Sequence, residues 1–96
     1  MKKGKIRAGK TLRDYTFTAT GEQMKRVMAV GVFDLLHAGH LHYLEQAKSL
    51  GDTLTVVVAH DDTVRMRKHE PVTGQDLRRR MVEGLKPVDD AIIGNP

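Results

Sequence analysis

Apolar residues fall along this chain in short runs divided by polar turns, and the period of the runs changes from one to the next. Residues 27–30 form an unbroken apolar stretch closed by Gly31, which reads as a buried strand over 27–31. Leu41, Leu44, Ala47 and Leu50 then recur at helical spacing, predicting a helix over 39–50 with Gly51 as its stop. Residues 54–59 are almost all β-branched or apolar, as expected of a parallel strand covered on both faces. Strand, crossover helix and strand make a right-handed βαβ unit. Residues 60–71 read as a polar, basic loop, after which Thr73-Gly74-Gln75-Asp76 has the form of a capping box. Leu77, Met81, Val82 and Leu85 give the next helix its apolar stripe, Pro87 ends it, and Ala91-Ile92-Ile93 reads as a third strand. The class is therefore α/β, with no internal repeat.

Residues 1–25 are different in kind. Their one alternating stretch, Tyr15-Thr16-Phe17-Thr18, allows a short strand, so this part is expected to be either a flexible extension or a strand docked at the sheet edge. It also contains Gly4-Lys5-Ile6-Arg7-Ala8-Gly9-Lys10-Thr11, which fits the phosphate-loop pattern G-x-x-x-x-G-K-[ST] letter for letter. That motif works as a rigid nest of amides only between a buried strand and a helix. Neither is expected around it here, so the match is read as a chance one.

Composition narrows the function classes. The 96 residues allow one small domain, and the absence of cysteine removes disulfides, thiolate metal sites and redox chemistry, in keeping with a cytoplasmic setting. Apolar runs are too short to span a bilayer, so no membrane is expected. The net charge of +4 is uneven: Lys2, Lys3, Lys5, Arg7, Lys10, Arg13 and Lys25 face only Asp14 and Glu22, and residues 26–96 carry a net −1. With Phe33 and Tyr43 the only aromatics in that second part, nucleic acid is not an expected partner. His42, His60 and His69 have no spacing that suits zinc, and no metal site is expected from protein ligands alone.

The chemistry concentrates where the first strand ends, at Gly31-Val32-Phe33-Asp34-Leu35-Leu36-His37-Ala38-Gly39-His40. A strand leading into a helix start is an anion site, because the helix opens with unpaired N–H groups and the positive end of its dipole. Two imidazoles three residues apart add further donors. This stretch, with Tyr43-Leu44-Glu45-Gln46-Ala47-Lys48 and Leu50-Gly51-Asp52, resembles the signature of the cytidylyltransferase-like nucleotidyltransferases. The resemblance covers residues 26–94. It implies a Rossmann-like (HUP-type) parallel sheet with helices on both faces, of which the first three strands of the usual five are represented. It further implies transfer of a nucleoside monophosphate from a nucleoside triphosphate to a phosphate-bearing acceptor, with Mg²⁺ entering on the triphosphate.

By the same resemblance, His37 and His40 donate to the triphosphate, and Gly31, Val32, Phe33, Asp34 and Gly39 complete the nucleotide-binding turn. Val32 stands where many relatives have threonine. Asp34 either orders the turn or helps a hydrated Mg²⁺. Lys68, with Arg67 or Arg65 behind it, is the candidate cation for the triphosphate or acceptor, while Asp61 and Arg78 match positions at the acceptor or at a dimer interface. Residues 42–45, 56–59, 71–72, 80–82 and 85–89 look most like the archaeal-type FAD synthases, which implies ATP over CTP and FMN as acceptor; glycerol-phosphate and sugar-phosphate transferases share the histidine turn. A homodimer is implied. Members of the family continue with two further strands beyond the point reached at Asn95-Pro96, so half a site is expected, either as the N-terminal part of an enzyme or as a binding module. The strand edge left open would be completed by the leader or by another chain.

Overall fold

The computed structural model describes residues 10–17 and 23–96. Four strands form one sheet in the order β1-β2-β3-β4: β1 (Lys10–Phe17), β2 (Gln23–Gly31), β3 (Thr53–Val58) and β4 (Asp90–Ile93). Helix α1 (Ala38–Lys48) crosses from β2 to β3, and α2 (Asp61–Arg67) and α3 (Gln75–Glu83) lie between β3 and β4. The three later strands are parallel, in register Val27 with Leu54, Ala29 with Val56, and Val56 with Ala91. This is the α/β arrangement that the sequence implied.

Alternate positions of those strands, Val27, Ala29, Leu54, Val56, Val58 and Ala91, are buried in one core with Tyr43, Leu44 and Ala47 of α1 and Val82 of α3. Both helices therefore pack on the same face. Two right-handed crossovers stepping in one direction across a sheet must place their helices on one side. Cover of β3 on both faces is thus not found among the described residues. The burial of β3 alternates, and on the other face Met28 and Ile92 are exposed, Ile92 by 44%.

β1 pairs antiparallel with β2 along its whole length, from Lys10 opposite Val30 to Phe17 opposite Gln23. It lies on the edge of β2 expected to be open, and it explains why β2 begins four residues before the predicted strand: parallel pairing with β3 starts only at Arg26. Most of the phosphate-loop-like stretch falls outside the described residues, and its last two residues, Lys10 and Thr11, open a strand instead of a helix.

Several local expectations are corrected. Residues 61–67 are helical, not loop: His60 caps α2 by accepting from the Asp62 amide, acids occupy the first turn, bases the last, and Val64 is buried. The capping box at Thr73 does not form, since Gly74 is the N-cap of α3 and makes no side-chain cap bond. The apolar stripe predicted for this helix faces the core only in part: Val82 is in the core and Leu85 packs against it, but Met81 does not follow them. Its buried residues are Arg78 and Val82, whereas Leu77 is 52% exposed, and the helix ends at Gly84 before Pro87 is reached. Gly51, expected as the stop of α1, lies two residues past the cap at Ser49; a Cβ there would come within 2.7 Å of Val27, so close approach to β2 requires the glycine.

The lower end of the sheet is closed by Asp89, whose Oδ2 accepts from the Leu54 amide at 2.7 Å and from Lys48 Nζ at 2.6 Å. Lys48 first, and the Leu54 amide second, hold this carboxyl below the ordinary aspartate range.

Candidate nucleotide site at the histidine turn

The site is built from the chain leaving β2. Phe33 and Leu35 both take left-handed backbone angles, φ 57° each, which non-glycine residues adopt only where the surroundings hold them. Phe33 is anchored by burial, its ring 5.6 Å from that of His40 and 6.3 Å from that of Tyr43. Leu35 stays exposed. Between them Asp34 turns inward, and its two oxygens accept from the amides of Val72 at 2.8 Å and Thr73 at 3.0 Å. Burial alone would raise this carboxyl, but the two amides together with Arg78 and His69 outweigh it and hold the group below its usual value.

His37 and His40 form a reciprocal cap at the start of α1. His37 Nδ1 accepts from the Gly39 amide at 2.9 Å, and His40 Nδ1 accepts from the His37 amide at 3.2 Å. A backbone amide can only donate, so each Nδ1 must be unprotonated and each neutral ring carries its proton on Nε2. The ring centroids are 4.1 Å apart. Two Nε2–H donors are thereby presented together, in the same tautomer. Burial, and secondarily the neighbouring His37, lower the His40 pKa and favour its neutral form. Gly39 is required by this geometry: a Cβ there would stand 2.7 Å from His37 Cε1.

The helix amides contribute less than the sequence suggested. The Gly39 amide is engaged by His37, and those of His40 and Leu41 by the His37 carbonyl, so three of the first four amides of α1 are already used and the imidazoles add donors of their own. Beside His37 lies an open apolar hollow of about 240 Å³ lined by Leu36, Ala38, Leu41 and Leu85.

The remaining candidates separate. Gly31 closes β2 with its carbonyl accepting from Ala59, and Val32 turns its carbonyl to Arg78. Asp61 and Arg78 are paired with each other, Arg78 Nη2 donating to Asp61 Oδ1, and Arg78 is only 1% exposed. Burial would raise the Asp61 carboxyl, but Arg78 and the Gln75 backbone lower it overall. Lys68 is exposed at the C-cap of α2, its amide donating to Val64. No group of three or more His, Asp or Glu residues suited to an ion occurs among the described residues. No helix among them is long and apolar enough to cross a membrane.

Sequence reasoning missed the histidine capping box, the grip of Asp34 on residues 72–73 and the burial of Arg78. The first could have been read, since histidine offers an acceptor nitrogen at N-cap and N3 just as serine and glutamate do. The other two leave no local signal.

The profile of the cytidylyltransferase-like family matches residues 28–96. A FAD synthase of Aciduliprofundum boonei is 58% identical over 72 residues, covering 75% of this chain and 48% of that protein. A FAD synthase of Thermococcus onnurineus is 60% identical over 72 residues, or 74% of this chain and 48% of the relative. The chain thus spans about half the length of the curated relatives it matches. Among solved structures, a lipopolysaccharide core biosynthesis protein from Thermoplasma volcanium superposes with a TM-score of 0.70 at 50% identity, over 71% of this chain and 56% of that one.

Proposed function

Because the chain belongs to the cytidylyltransferase-like family, we propose that its histidine turn binds the triphosphate of a nucleotide and serves transfer of the nucleoside monophosphate to a phosphate-bearing acceptor. An oxygen of the acceptor phosphate forms a bond to the α-phosphorus, the bond from that phosphorus to the bridging oxygen breaks, and its electron pair leaves with pyrophosphate. Little covalent work falls to the protein in such a step, so placement and stabilisation of charge carry it. The observation that carries this reading is the pair of imidazoles 4.1 Å apart with both Nδ1 atoms accepting from backbone. Two preset Nε2–H donors meet the negative charge of the phosphates.

The divalent cation of this reaction, Mg²⁺ by preference, enters bound to the triphosphate, as that ion commonly does. Asp34 is the one candidate carboxylate on the turn itself, and both its oxygens already order residues 72–73, so its part is to shape the turn. ATP is the proposed nucleotide and FMN the proposed acceptor, because two of the relatives are named FAD synthase. The apolar hollow beside His37 suits a flat ring better than a glycerol chain. Lys68 is proposed as a mobile cation for the phosphates and a homodimer as the assembly.

Titration calorimetry with ATP and CTP in the presence of Mg²⁺, beside pyrophosphate release with FMN and with glycerol 3-phosphate, tests this. Micromolar-range binding of one nucleotide, lost in His37→Asn, is the expected result. Release that depends on one acceptor names the reaction; binding without release assigns this chain binding alone. Absence of binding to either nucleotide refutes the proposal.

A further inference from the structure

We infer that Arg78 is the positioning residue of this site, a buried cation that locks the turn after β2 to the loop before α3, with Asp61 as its counter-ion. The inference rests on the reading of the histidine turn as a nucleotide site.

Arg78 is the one buried charged side chain among the described residues. Burying a guanidinium is costly, and a helix that needed only to fill space would carry a leucine or methionine there. The partners show what the charge provides. Nη1 donates to the Val32 carbonyl at 2.8 Å and to the Ala59 carbonyl at 2.9 Å, Nε to the Thr73 carbonyl at 2.7 Å, and Nη2 to Asp61 Oδ1. Val32 and Ala59 each lie one residue past the end of a parallel strand, where β2 and β3 cease to pair and their carbonyls lose ladder donors. A planar fork holds both at a set separation, which the single ammonium of a lysine cannot do.

The third carbonyl closes a loop of contacts. Thr73 gives its oxygen to Arg78 and its amide to Asp34, so residues 32–34 and 72–73 are joined twice, with opposite polarity. Those bonds bracket Phe33, one of the two left-handed residues that the turn must keep in place to deliver His37 to its cap position. Arg78 touches neither imidazole in this arrangement and acts on them through the turn. Asp61, whose amide is held by Gln75 Oε1, neutralises the guanidinium and is engaged on both its backbone and side chain.

The test compares Arg78→Lys and Asp61→Asn with the parent chain, using calorimetry with ATP and Mg²⁺ together with ¹H–¹⁵N spectra of backbone amides and imidazole rings. Arg78→Lys is expected to keep the amide pattern of residues 54–58, to shift the amides of 32–40, 59–61 and 72–75, to mix the Nε2–H tautomer signature of His37 and His40, and to weaken ATP binding at least tenfold. Asp61→Asn keeps an acceptor for Nη2 but leaves the guanidinium without its counter-ion, and is expected to shift the same loop amides while weakening ATP binding by less than tenfold. An Arg78→Lys chain with parental ring signals and parental affinity overturns the inference, as does a tenfold loss in Asp61→Asn, which would make Asp61 a ligand group. If Arg78→Lys does not fold, Asp61→Asn decides: shifted amides at 32–34 and 72–73 with altered ring signals of His37 and His40 support the clamp, and parental signals throughout overturn it. A parent chain that binds no nucleotide refutes the proposed function, while unchanged ring and loop signals in Arg78→Lys refute the positioning role by themselves.

Discussion

The histidine cap and the arginine clamp sit at the same end of one sheet, yet they are held by opposite kinds of contact. In the cap, donor and acceptor are two or three residues apart, and a helix start brings them together wherever the helix forms. In the clamp, Arg78 reaches Ala59 across 19 residues and Val32 across 46, contacts that exist only once β2, β3 and α3 are assembled. A site of this design has local chemistry and non-local tolerances. The groups that would meet the ligand are preset by neighbours in the chain, and their placement is handed to a residue buried elsewhere.

Stability measurements should separate the two most widely. Arg78→Met is expected to cost about 3–5 kcal/mol in chemical denaturation, the range for removing one partner of a buried charged pair. A cost below about 1 kcal/mol would place the clamp with ordinary surface contacts and dissolve the contrast. His37→Asn should do the reverse. Asparagine caps helices as well as any residue, so unfolding free energy should move by only about 0.5 kcal/mol. Nucleotide affinity should nevertheless fall tenfold or more with the missing Nε2–H. Gly39→Ala strikes the cap itself: the new methyl meets His37 Cε1 at 2.7 Å, the ring must swing away, and a loss near 1 kcal/mol is expected together with weakened binding.

Acid distinguishes the regions by pH range. The carboxyls of Asp34 and Asp61 are held below the ordinary 3.8, and Asp89 likewise. Groups depressed by folding contribute their full stabilisation above the unfolded value and lose it as pH falls through the folded one. The clamp should therefore remain intact down to about pH 4 and melt below it, readable as a falling Tm. His40, depressed from 6.5, follows the same sign at higher pH: its contribution is complete above 6.5 and declines as pH drops toward its lowered value. The Val72 and Thr73 amides should stay protected from exchange at a pH where His40 has taken up its proton and the His37 amide has lost its acceptor. The smallest effect belongs to the open sheet face, where Ile92→Thr should shift stability by no more than about 0.5 kcal/mol. A larger loss would mean that this face is covered in solution.

Much of the molecule could be read from its residues in order. The apolar run ending at Gly31, the helical recurrence of Leu44 and Ala47, and the β-branched run before Ala59 specify strand, helix and strand, because period and side-chain shape act over a few neighbouring positions. The paired histidines with a glycine between them are equally local, which is why the candidate site was visible before any coordinates. Leu77 and Met81 misled for the complementary reason. Helical spacing marks them as a stripe, but which side of α3 meets the sheet is settled only on assembly, which takes Val82 into the core and buries Arg78.

Sequence by itself thus determined the three parallel strands, α1, α3 and the pairing of residue types in the turn, since these arise from contacts within one or two turns of chain. Only the tertiary structure decided that β1 lies against β2, that both crossover helices share a face, and that an arginine on a surface-looking helix is the pin holding two strand ends and a loop. Each of these is a choice of partner among distant segments. Polar residues such as Asp34 and Arg78 look identical in a string whether water or a backbone carbonyl satisfies them, and the difference is settled only when packing excludes the water.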